Sequence, residues 1–298
     1  MNPVKRKRRV SLHGGDLAFV ICNTTLLVLI FITTLYPMLF VLSASFSEPS
    51  AVSAGKMILF PINPTLSGYE YIFQYKEIWL GYANTIFYTV AGTFLNLAFT
   101  LPCAYALSRK DMLGRGFIMT LFIVTMYFSG GLIPLFIIIN SLGLYDTYWS
   151  VLLPMGISTW NVIITRTSMQ GIPPSLQESA KIDGCNDLRV LWNIIIPLSY
   201  PVIAVVALYS AVGFWNMYFL PMVLTPSAKL QPLQLYLMKV VIQNSSEAMG
   251  AVQGYERLLS GAQLRYSIIM VSILPIICVY PFVQKYFIKG VMIGALKG

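Results

Sequence analysis

The sequence predicts an all-α membrane protein with six transmembrane helices, and three observations support this prediction. Of the 298 residues, 57% are apolar and only 10% are charged, whereas a soluble domain carries about 25% charged residues. Six windows without Asp, Glu, Lys or Arg are long enough to cross a bilayer core, which takes about 20 residues of helix. Those windows are residues 17–47, 78–108, 116–145, 147–165, 190–228 and 266–284. The third observation is the distribution of basic residues between the windows.

The basic residues indicate which way the helices run. The first window follows the basic run Lys5–Arg9. A secretory signal also begins in this way, but the apolar run is too long for a signal core and five more windows follow. If all six windows cross the membrane, the connections on the N-terminal side carry the whole net charge of +9. Since cytoplasmic loops are enriched in Lys and Arg, both termini are predicted to be cytoplasmic, and the charge requires no nucleic-acid partner.

The second and third spans contain small or helix-breaking residues. In span two, Gly92 and Ala104 lie among large apolar residues, which lets helices approach closely in lipid. Span three contains YFSGGLIP, with Gly130, Gly131 and Pro134 in close succession. This run favours either an interrupted helix beside a water-filled path or close helix packing, and the sequence leaves both open.

The chain is predicted to form a single transmembrane domain, 1–298. Span four is short and polar, and span five is followed by a long outside segment. Within that segment, LQLYLMKVVI is short and contains Lys239, which predicts a surface or interfacial helix and not a seventh span. The parts outside the spans include an N-terminal basic segment, a cytoplasmic loop between spans four and five, the outside segment and a cytoplasmic tail, assigned to residues 1–16, 172–195, 221–265 and 285–298.

No catalytic or metal site is predicted from the residue inventory. The four cysteines show neither disulfide nor metal spacing, and they are Cys22, Cys103, Cys185 and Cys278. His13 lies beside two glycines before the first span, where a solvated linker residue is expected. The chain is therefore not expected to be an enzyme by itself.

The loop 172–195 is predicted to contain two short helices. Pro173 and Pro174 prevent the helix of span four from continuing. Ser175 followed by Glu178 has the spacing of a capping box, which predicts that a helix starts at Ser175.

The same loop carries signals for a helix end and a second start. Gly184 suits the left-handed position that ends a helix, and Asn186 suits the cap of the next one. The second helix is predicted to present an apolar face formed by Leu188, Leu191 and Trp192. A solvated connection would explain why this loop carries charges. It would not explain why the loop carries so many signals for helix starts and ends.

The loop resembles the EAA loop of ABC importer permeases, E-A-A-x3-G-x9-I-x-L-P. The matching residues are Glu178, Ser179, Ala180, Gly184, Ile194, Ile196 and Pro197. The departures are Ser179 for Ala and Ile196 for Leu. Further stretches, including DGCNDLRVLWNIIIPLSYP and KYFIKGVMIGALKG, are similar to the MalG-like half of carbohydrate permeases of the maltose type. SFSEPSAV and SGGLIPLFIIINSLGL resemble more closely the LplC and YtcP group of that family.

The resemblance implies a multi-subunit transporter in the bacterial cell membrane. Two permease subunits, expected here to be a heterodimer, form the path, two ATPase subunits bind beneath them, and an extracytoplasmic sugar-binding protein delivers substrate. ATP and Mg²⁺ would bind in the ATPase, so this chain itself needs no cofactor. The residues expected to couple to the ATPase are Glu178, Ser179, Ala180, Lys181, Asp183 and Gly184. Glu178 is expected to cap its own helix, pair with the ATPase, or do both.

Two further expectations concern the path and the transmission of force. Span five begins directly after the loop, which predicts that a push on the loop travels along one helix. Side chains that offer ring faces and hydrogen bonds to a sugar are Tyr127, Trp160, Asn161, Trp215, Asn216 and Tyr218. For any single one of these residues, an interhelical packing role is the stronger interpretation.

A secondary transporter or channel that does not use ATP is the alternative function. Such proteins usually place charged groups inside the membrane, where each one costs about 2.5–3.5 kcal/mol on insertion scales. The six windows contain no such group. The sequence therefore favours a transporter whose energy comes from a separate ATPase.

Overall fold

A computed structural model describes residues 14–74, 76–242 and 263–278, and every regular element within them is helical. The predicted all-α class is confirmed for this part of the chain. The basic run Lys5–Arg9, the tail 285–298 and residues 243–262 of the predicted outside segment lie outside the described residues.

The described part of the chain is a succession of helices. Their bounds are α1 Gly14–Phe46, α2 Pro49–Ser53, α3 Ser67–Gln74, α4 Lys76–Ser108, α5 Arg115–Tyr127, α6 Leu132–Ser141, α7 Trp149–Leu152, α8 Thr159–Gln170, α9 Pro174–Ile182, α10 Asp187–Val190, α11 Ile196–Leu198, α12 Tyr200–Trp215, α13 Phe219–Leu224, α14 Leu233–Ile242 and α15 Gln263–Cys278. A π-helical turn, Leu191–Ile195, joins α10 to α11, and a 3₁₀ turn, Ala228–Leu230, follows α13.

Two of the predicted spans are continuous helices. In the described residues, α1 and α4 are each long and apolar enough to cross a membrane. Up to four spans result if each of two bent helix pairs is taken as one span, namely α5 with α6 and the stretch Asp187–Leu198 with α12. The fourth predicted span is divided between α7 and α8. The count of six therefore stays a prediction.

The third predicted span is interrupted at its glycine pair. Helix α5 ends at Tyr127, α6 begins at Leu132, and the two helices are bent by 114°. Gly131 has a φ of 86°, which an L side chain rarely adopts, so glycine makes this break possible. Of the two interpretations of YFSGGLIP, the interrupted helix is the one that the structure contains.

The fifth predicted span is bent by 86° between the stretch Asp187–Leu198 and α12. Pro197 and Pro201 bracket the bend at Ser199. Each proline lacks an N–H to donate to the carbonyl four residues earlier, which weakens a helix at this place. The prediction of one continuous helix after the loop is therefore wrong, and the way a push on the loop is transmitted stays a prediction.

Contacts divide the described part of the chain into two compact units, and the single transmembrane domain 1–298 stays a prediction. Within the described residues, the first unit comprises 14–70 with 263–270, and the second comprises 71–74 and 76–242 with 271–278. In the first unit, the Gln263 amide donates to the carbonyl oxygens of Ser45 (3.3 Å) and Thr65 (3.2 Å) and accepts from Ser67 (2.9 Å). These bonds join the start of α15 to the residues around the end of α1.

Helix α4 is central to the second unit, where it packs against α8, α12 and α14. Tyr88 of α4 and Phe214 of α12 are almost fully buried in one apolar cluster. The predicted surface helix LQLYLMKVVI forms as α14, but Leu233 and Leu235 are fully buried. A Cβ at Gly81 would lie 3.2 Å from Leu233 Cα, so this helix packs closely on α4 and is not a purely surface element.

Candidate functional site

The loop 172–195, called the coupling loop below, begins its first helix on two prolines. Pro173 is the N-cap of α9 and Pro174 is the first helical residue, with no side-chain capping bond. The proline φ angle suits the first helical position, where no N–H is needed. Because the helix starts one residue before Ser175, that hydroxyl is inside the first turn. The predicted capping box from Ser175 to Glu178 is therefore wrong.

The end of α9 has the predicted geometry. Gly184 has a φ of 81°. Its N–H donates to the Lys181 carbonyl (3.0 Å), and the Cys185 N–H donates to the Ala180 carbonyl (2.9 Å). This pair of bonds forms a Schellman motif, which satisfies carbonyls that a helix end otherwise leaves unpaired. The Asn186 side chain then accepts from the Arg189 N–H at 2.8 Å, which confirms the predicted cap of α10.

The small residue Ala180 packs α9 against α4 and α8 of the same chain. Ala180 is 6% exposed and belongs to a buried cluster with Leu101 and Tyr105 of α4 and Met169 of α8. A larger side chain at this position would push α9 away from α4. Of the residues expected to couple to an ATPase, this one faces inward, whereas the others are exposed, namely Glu178, Ser179, Lys181, Asp183 and Gly184.

The outer face of the coupling loop offers an unpaired carboxylate. Glu178 is exposed, and its side chain forms no hydrogen bond or ion pair with the described part of the chain. Lys181, one turn further along α9, pairs with Asp187 at 3.2 Å. Since the capping role of Glu178 is absent, its carboxylate is free to accept a hydrogen bond from another molecule.

Only one of the three residues in the predicted apolar face of the second helix is buried. Leu191 is buried, whereas Leu188 is 66% and Trp192 is 62% exposed. The buried side is formed by Val190, Leu191, Ile195 and Ile196. The π-helical turn Leu191–Ile195 changes the residue spacing of the helix, so the 3.6-residue pattern used for the prediction does not hold there.

Arg109, which the sequence did not single out, holds the coupling loop on α4. Its side chain is 16% exposed. The guanidinium donates to the Tyr105 hydroxyl (3.0 Å), to the Gln177 amide oxygen (3.4 Å) and to the Asp187 carboxylate (3.1 Å). It also forms a two-bond pair with Asp111 at 2.5 and 2.9 Å. Arg109 therefore joins α4, the turn after it, α9 and α10.

The Arg109–Asp111 pair is stable at neutral pH. The hydrogen bond from Arg109 is the largest cause that lowers the pKa of Asp111 to about 2, and the same bond raises the pKa of Arg109. A carboxyl group whose pKa is lowered by folding stabilises the folded state above its ordinary pKa, here 3.8. That contribution is lost only as the pH falls toward about 2, so the pair persists through the physiological range.

Asn161, one of the predicted path residues, lies in a buried polar cluster between three helices. It is 4% exposed. Its amide donates to the Asn96 side-chain oxygen on α4 and to the Ser210 hydroxyl on α12, both at 3.0 Å. Ser210 donates to the same Asn96 oxygen at 2.8 Å. We call Asn96, Asn161 and Ser210 the polar triad; Asn96 and Ser210 were missed because their partners are far away in the sequence.

The other predicted path residues do not converge. Trp215 is 9% exposed and its ring lies 6.4 Å from that of Tyr82. The remaining four residues are exposed, and they are Tyr127, Trp160, Asn216 and Tyr218. In the described residues, no hydrogen bond or ring contact joins any two members of the predicted set. Their role in a path stays a prediction.

Near the N-terminal end of α4, far from the coupling loop, side chains of α4 bind the backbone of the segment Lys229–Leu233. The Asn84 amide donates to the carbonyl oxygens of Lys229 (2.8 Å) and Gln231 (3.0 Å). The Leu233 N–H donates to the Thr85 hydroxyl at 2.9 Å. Helix α4 therefore has the coupling loop at one end and this segment at the other.

Replacing Asn161 by leucine is expected to destabilise the protein by about 0.6–1.7 kcal/mol, the range found for hydrogen bonds between membrane helices. The substitution removes two donors, and the leucine cannot accept or donate in the polar triad. Thermal unfolding in detergent measures the effect. Asn216→Leu is the matched control, because Asn216 is exposed and its amide donates only to Val212 of its own helix. Equal unfolding midpoints for the two variants would contradict the assignment.

The chain matches a family of known proteins over most of its length. The family described as "Binding-protein-dependent transport system inner membrane component" matches residues 78–293. Protein LplC of Bacillus subtilis (strain 168) is 38% identical over 280 residues, which cover 94% of this chain and 95% of that protein. The polygalacturonan/rhamnogalacturonan transport system permease protein YtcP of the same organism is 40% identical, with 88% and 92% covered.

A solved structure agrees with these matches. It belongs to a bacterial ABC transporter involved in the import of the acidic polysaccharide alginate. The TM-score is 0.86 at 38% sequence identity, with 92% of this chain and 98% of that chain covered. On these grounds the chain belongs to the family of binding-protein-dependent transport system inner membrane components, the permease subunits of ABC importers.

Proposed function

We propose that this chain forms half of the translocation path for an oligosaccharide and is driven by a separate ATPase through its coupling loop. The chain would cross the membrane six times with both termini in the cytoplasm. Its partners would be a second permease subunit, two ATPase subunits that bind ATP and Mg²⁺, and an extracytoplasmic sugar-binding protein. The family membership and the basic residues on one side of the predicted spans support this arrangement.

The observation that carries the coupling role is the exposed, unpaired carboxylate of Glu178 on a helix with two fixed ends. Helix α9 starts on Pro174 and ends in a Schellman motif at Gly184. A helix bounded in this way presents its side chains in one orientation, which a rigid partner cleft requires. Exposed apolar residues of the coupling loop support a protein contact at the same place, and they are Leu176, Ile182, Leu188 and Trp192.

An oligosaccharide that contains uronic acids is the proposed substrate class. The name of YtcP refers to polygalacturonan and rhamnogalacturonan, and the transporter of the solved structure imports alginate. Both names refer to acidic sugars. The predicted path residues carry no charge, so positive groups for such a substrate would come from the other subunits.

Import into proteoliposomes by the complete complex tests the proposal. The vesicles contain both permease subunits, the ATPase and the binding protein, and the probes are oligogalacturonates, alginate oligomers and neutral maltooligosaccharides. ATP-dependent uptake of the acidic probes is expected. Uptake of neutral probes alone would overturn the substrate class. An ATPase that does not copurify with this chain would overturn the coupling role.

Glu178→Gln is expected to lower ATP-dependent import by about tenfold or more, since one hydrogen bond to a charged group contributes about 1.5–3 kcal/mol. The amide keeps the size of the side chain but removes the charge that a basic partner group would bind. Rates of ATP hydrolysis and import in vesicles measure the effect. The control is Glu77→Gln, the same substitution in the first turn of α4. Normal coupled hydrolysis in Glu178→Gln would exclude the carboxylate from the interface.

A further inference from the structure

Arg109 links the coupling loop to α4 through side-chain hydrogen bonds between residues that are far apart in the sequence. Its partners Gln177 and Asp187 are 68 and 78 residues away in the sequence. The buried cluster around Ala180 and Tyr105 packs beside this network. Polar and apolar contacts therefore fasten α9 and α10 to the last turn of α4. A displacement of α9 has to move the end of α4 or break these contacts.

The covalent route from the coupling loop into α12 is less direct. It passes through α10, a π-helical turn and α11, and then bends by 86° at Ser199. The side-chain oxygen of Ser199 is buried and has no hydrogen-bond partner in the described residues. Because Pro197 and Pro201 remove two backbone hydrogen bonds around this bend, the stretch is held less tightly than an uninterrupted helix. The loop's side-chain contacts with α4 avoid this bend.

Helix α4 runs as one helix from the coupling loop to the Lys229–Leu233 segment, with Pro102 inside it near the loop end. Its contact residues Tyr105 and Asn84 are 21 residues apart in the sequence, which is about 32 Å at 1.5 Å per residue. At the far end, Asn84, Thr85 and Tyr88 bind the backbone of that segment. The helix therefore connects two sets of specific contacts through one continuous element, and contacts and elements of this kind carry coupling between distant sites.

We infer that Arg109 is a positioning residue that holds the coupling loop on α4, so that movement of α9 reaches the Lys229–Leu233 segment through α4. The inference rests on the proposed coupling to an ATPase. It adds a second route beside the chain connection into α12. Without the Arg109 contacts, the ATPase still binds the loop, but the movement that ATP drives in α9 no longer reaches the far end of α4.

The test uses the complete complex and four variants of this chain. Arg109→Gln removes the charge, Arg109→Lys keeps the charge but lacks the planar fork, and Asp187→Asn removes one partner with little risk to folding, since that side chain is 59% exposed. The matched control is Lys110→Gln, which removes the neighbouring positive charge from an exposed residue whose side chain forms no hydrogen bond or ion pair with the described residues.

Two measurements distinguish a loss of transmission through α4 from a general loss of folded complex. The first is the number of oligogalacturonate molecules imported per ATP hydrolysed, which does not depend on how much complex has folded. The second is the change in fluorescence of a probe attached at Ala228→Cys, in a chain whose own cysteines are replaced by alanine, when ATP and vanadate trap the ATPase. Ala228 is exposed and directly precedes the Lys229–Leu233 segment.

Arg109→Gln and Asp187→Asn are expected to lower import per ATP by about twofold to thirtyfold, the range found for mutations along coupling networks. Both are expected to lose most of the fluorescence change, with partial recovery in Arg109→Lys and normal values in Lys110→Gln. Unchanged ratios and fluorescence in Asp187→Asn and Arg109→Gln would overturn this inference alone. Failure of the unaltered chain to copurify with an ATPase would overturn the proposed function and this inference with it.

Discussion

Replacing Gly92 by alanine is expected to lower the stability of the protein by about 1–3 kcal/mol, the cost of inserting a methyl group into a packed core. A Cβ at Gly92 would lie 2.4–2.5 Å from ring atoms of Phe214. That ring is 1% exposed and packs in a cluster with Tyr88 and Met217, so it has little room to turn away. The methyl group therefore forces α4 and α12 apart, or it forces the Phe214 ring out of its position.

The matched control for Gly92 is Gly213→Ala on α12. No heavy atom lies within 4 Å of a Cβ at Gly213, and alanine is the better helix former by about 0.5–1 kcal/mol. Thermal unfolding of both variants in detergent, followed by tryptophan fluorescence, is expected to show a lower midpoint for Gly92→Ala and an equal or higher midpoint for Gly213→Ala. A Gly92→Ala protein as stable as the unaltered chain would show that the two helices are not in close contact at this position.

Gly184→Val is expected to open the end of α9 and to uncouple import from ATP hydrolysis. A left-handed backbone costs an L-residue about 1–2 kcal/mol, and a β-branched side chain is especially unfavourable there. Nothing lies within 4 Å of a Cβ at Gly184, so the cost comes from the backbone angle and not from a clash. The two hydrogen bonds of the Schellman motif depend on that angle and are expected to be lost with it.

Hydrogen exchange at the amides of Gly184 and Cys185 measures this effect directly. Exchange is expected to become faster in Gly184→Val, and import per ATP is expected to fall with it. Gly184→Asn is the control, since asparagine tolerates the left-handed region better than other non-glycine residues. Slow exchange at Cys185 in the valine variant would show that the motif does not require glycine.

Local features of the coupling loop could be read from the sequence, because they depend on neighbouring residues. The left-handed Gly184 and the Asn186 cap are set by backbone angles and short side chains within a few positions. The start of α9 was misplaced for a local reason as well. Two competing signals overlap there, and the proline at the first helical position determines the start in place of Ser175.

Contacts between distant residues could not be predicted in the same way. Arg109 looked like one of several basic residues that orient the chain, and its four partners become visible only when α4, α9 and α10 are placed together. The bend at Ser199 lies in an apolar run without a charged residue to mark it. Hydropathy identifies which residues enter the membrane, but it does not distinguish a continuous helix from a broken one.

The polar triad has a consequence for how the chain is made. Asn96 is 114 residues before Ser210 in the sequence, so synthesis at about 5–20 residues per second separates the two by about 6–23 s. During this interval α4 is present without α12, so the Asn96 oxygen lacks the Ser210 donor, and an amide in a predicted membrane span has little water to replace it. We expect α4 to be retained in a hydrated or protein-lined environment until α12 arrives, which ties membrane insertion of the second span to synthesis of the fifth. Crosslinking can compare ribosome-bound chains that end before Ser210 with chains that end after it. If α4 already contacts lipid in the shorter chains, this expectation is wrong.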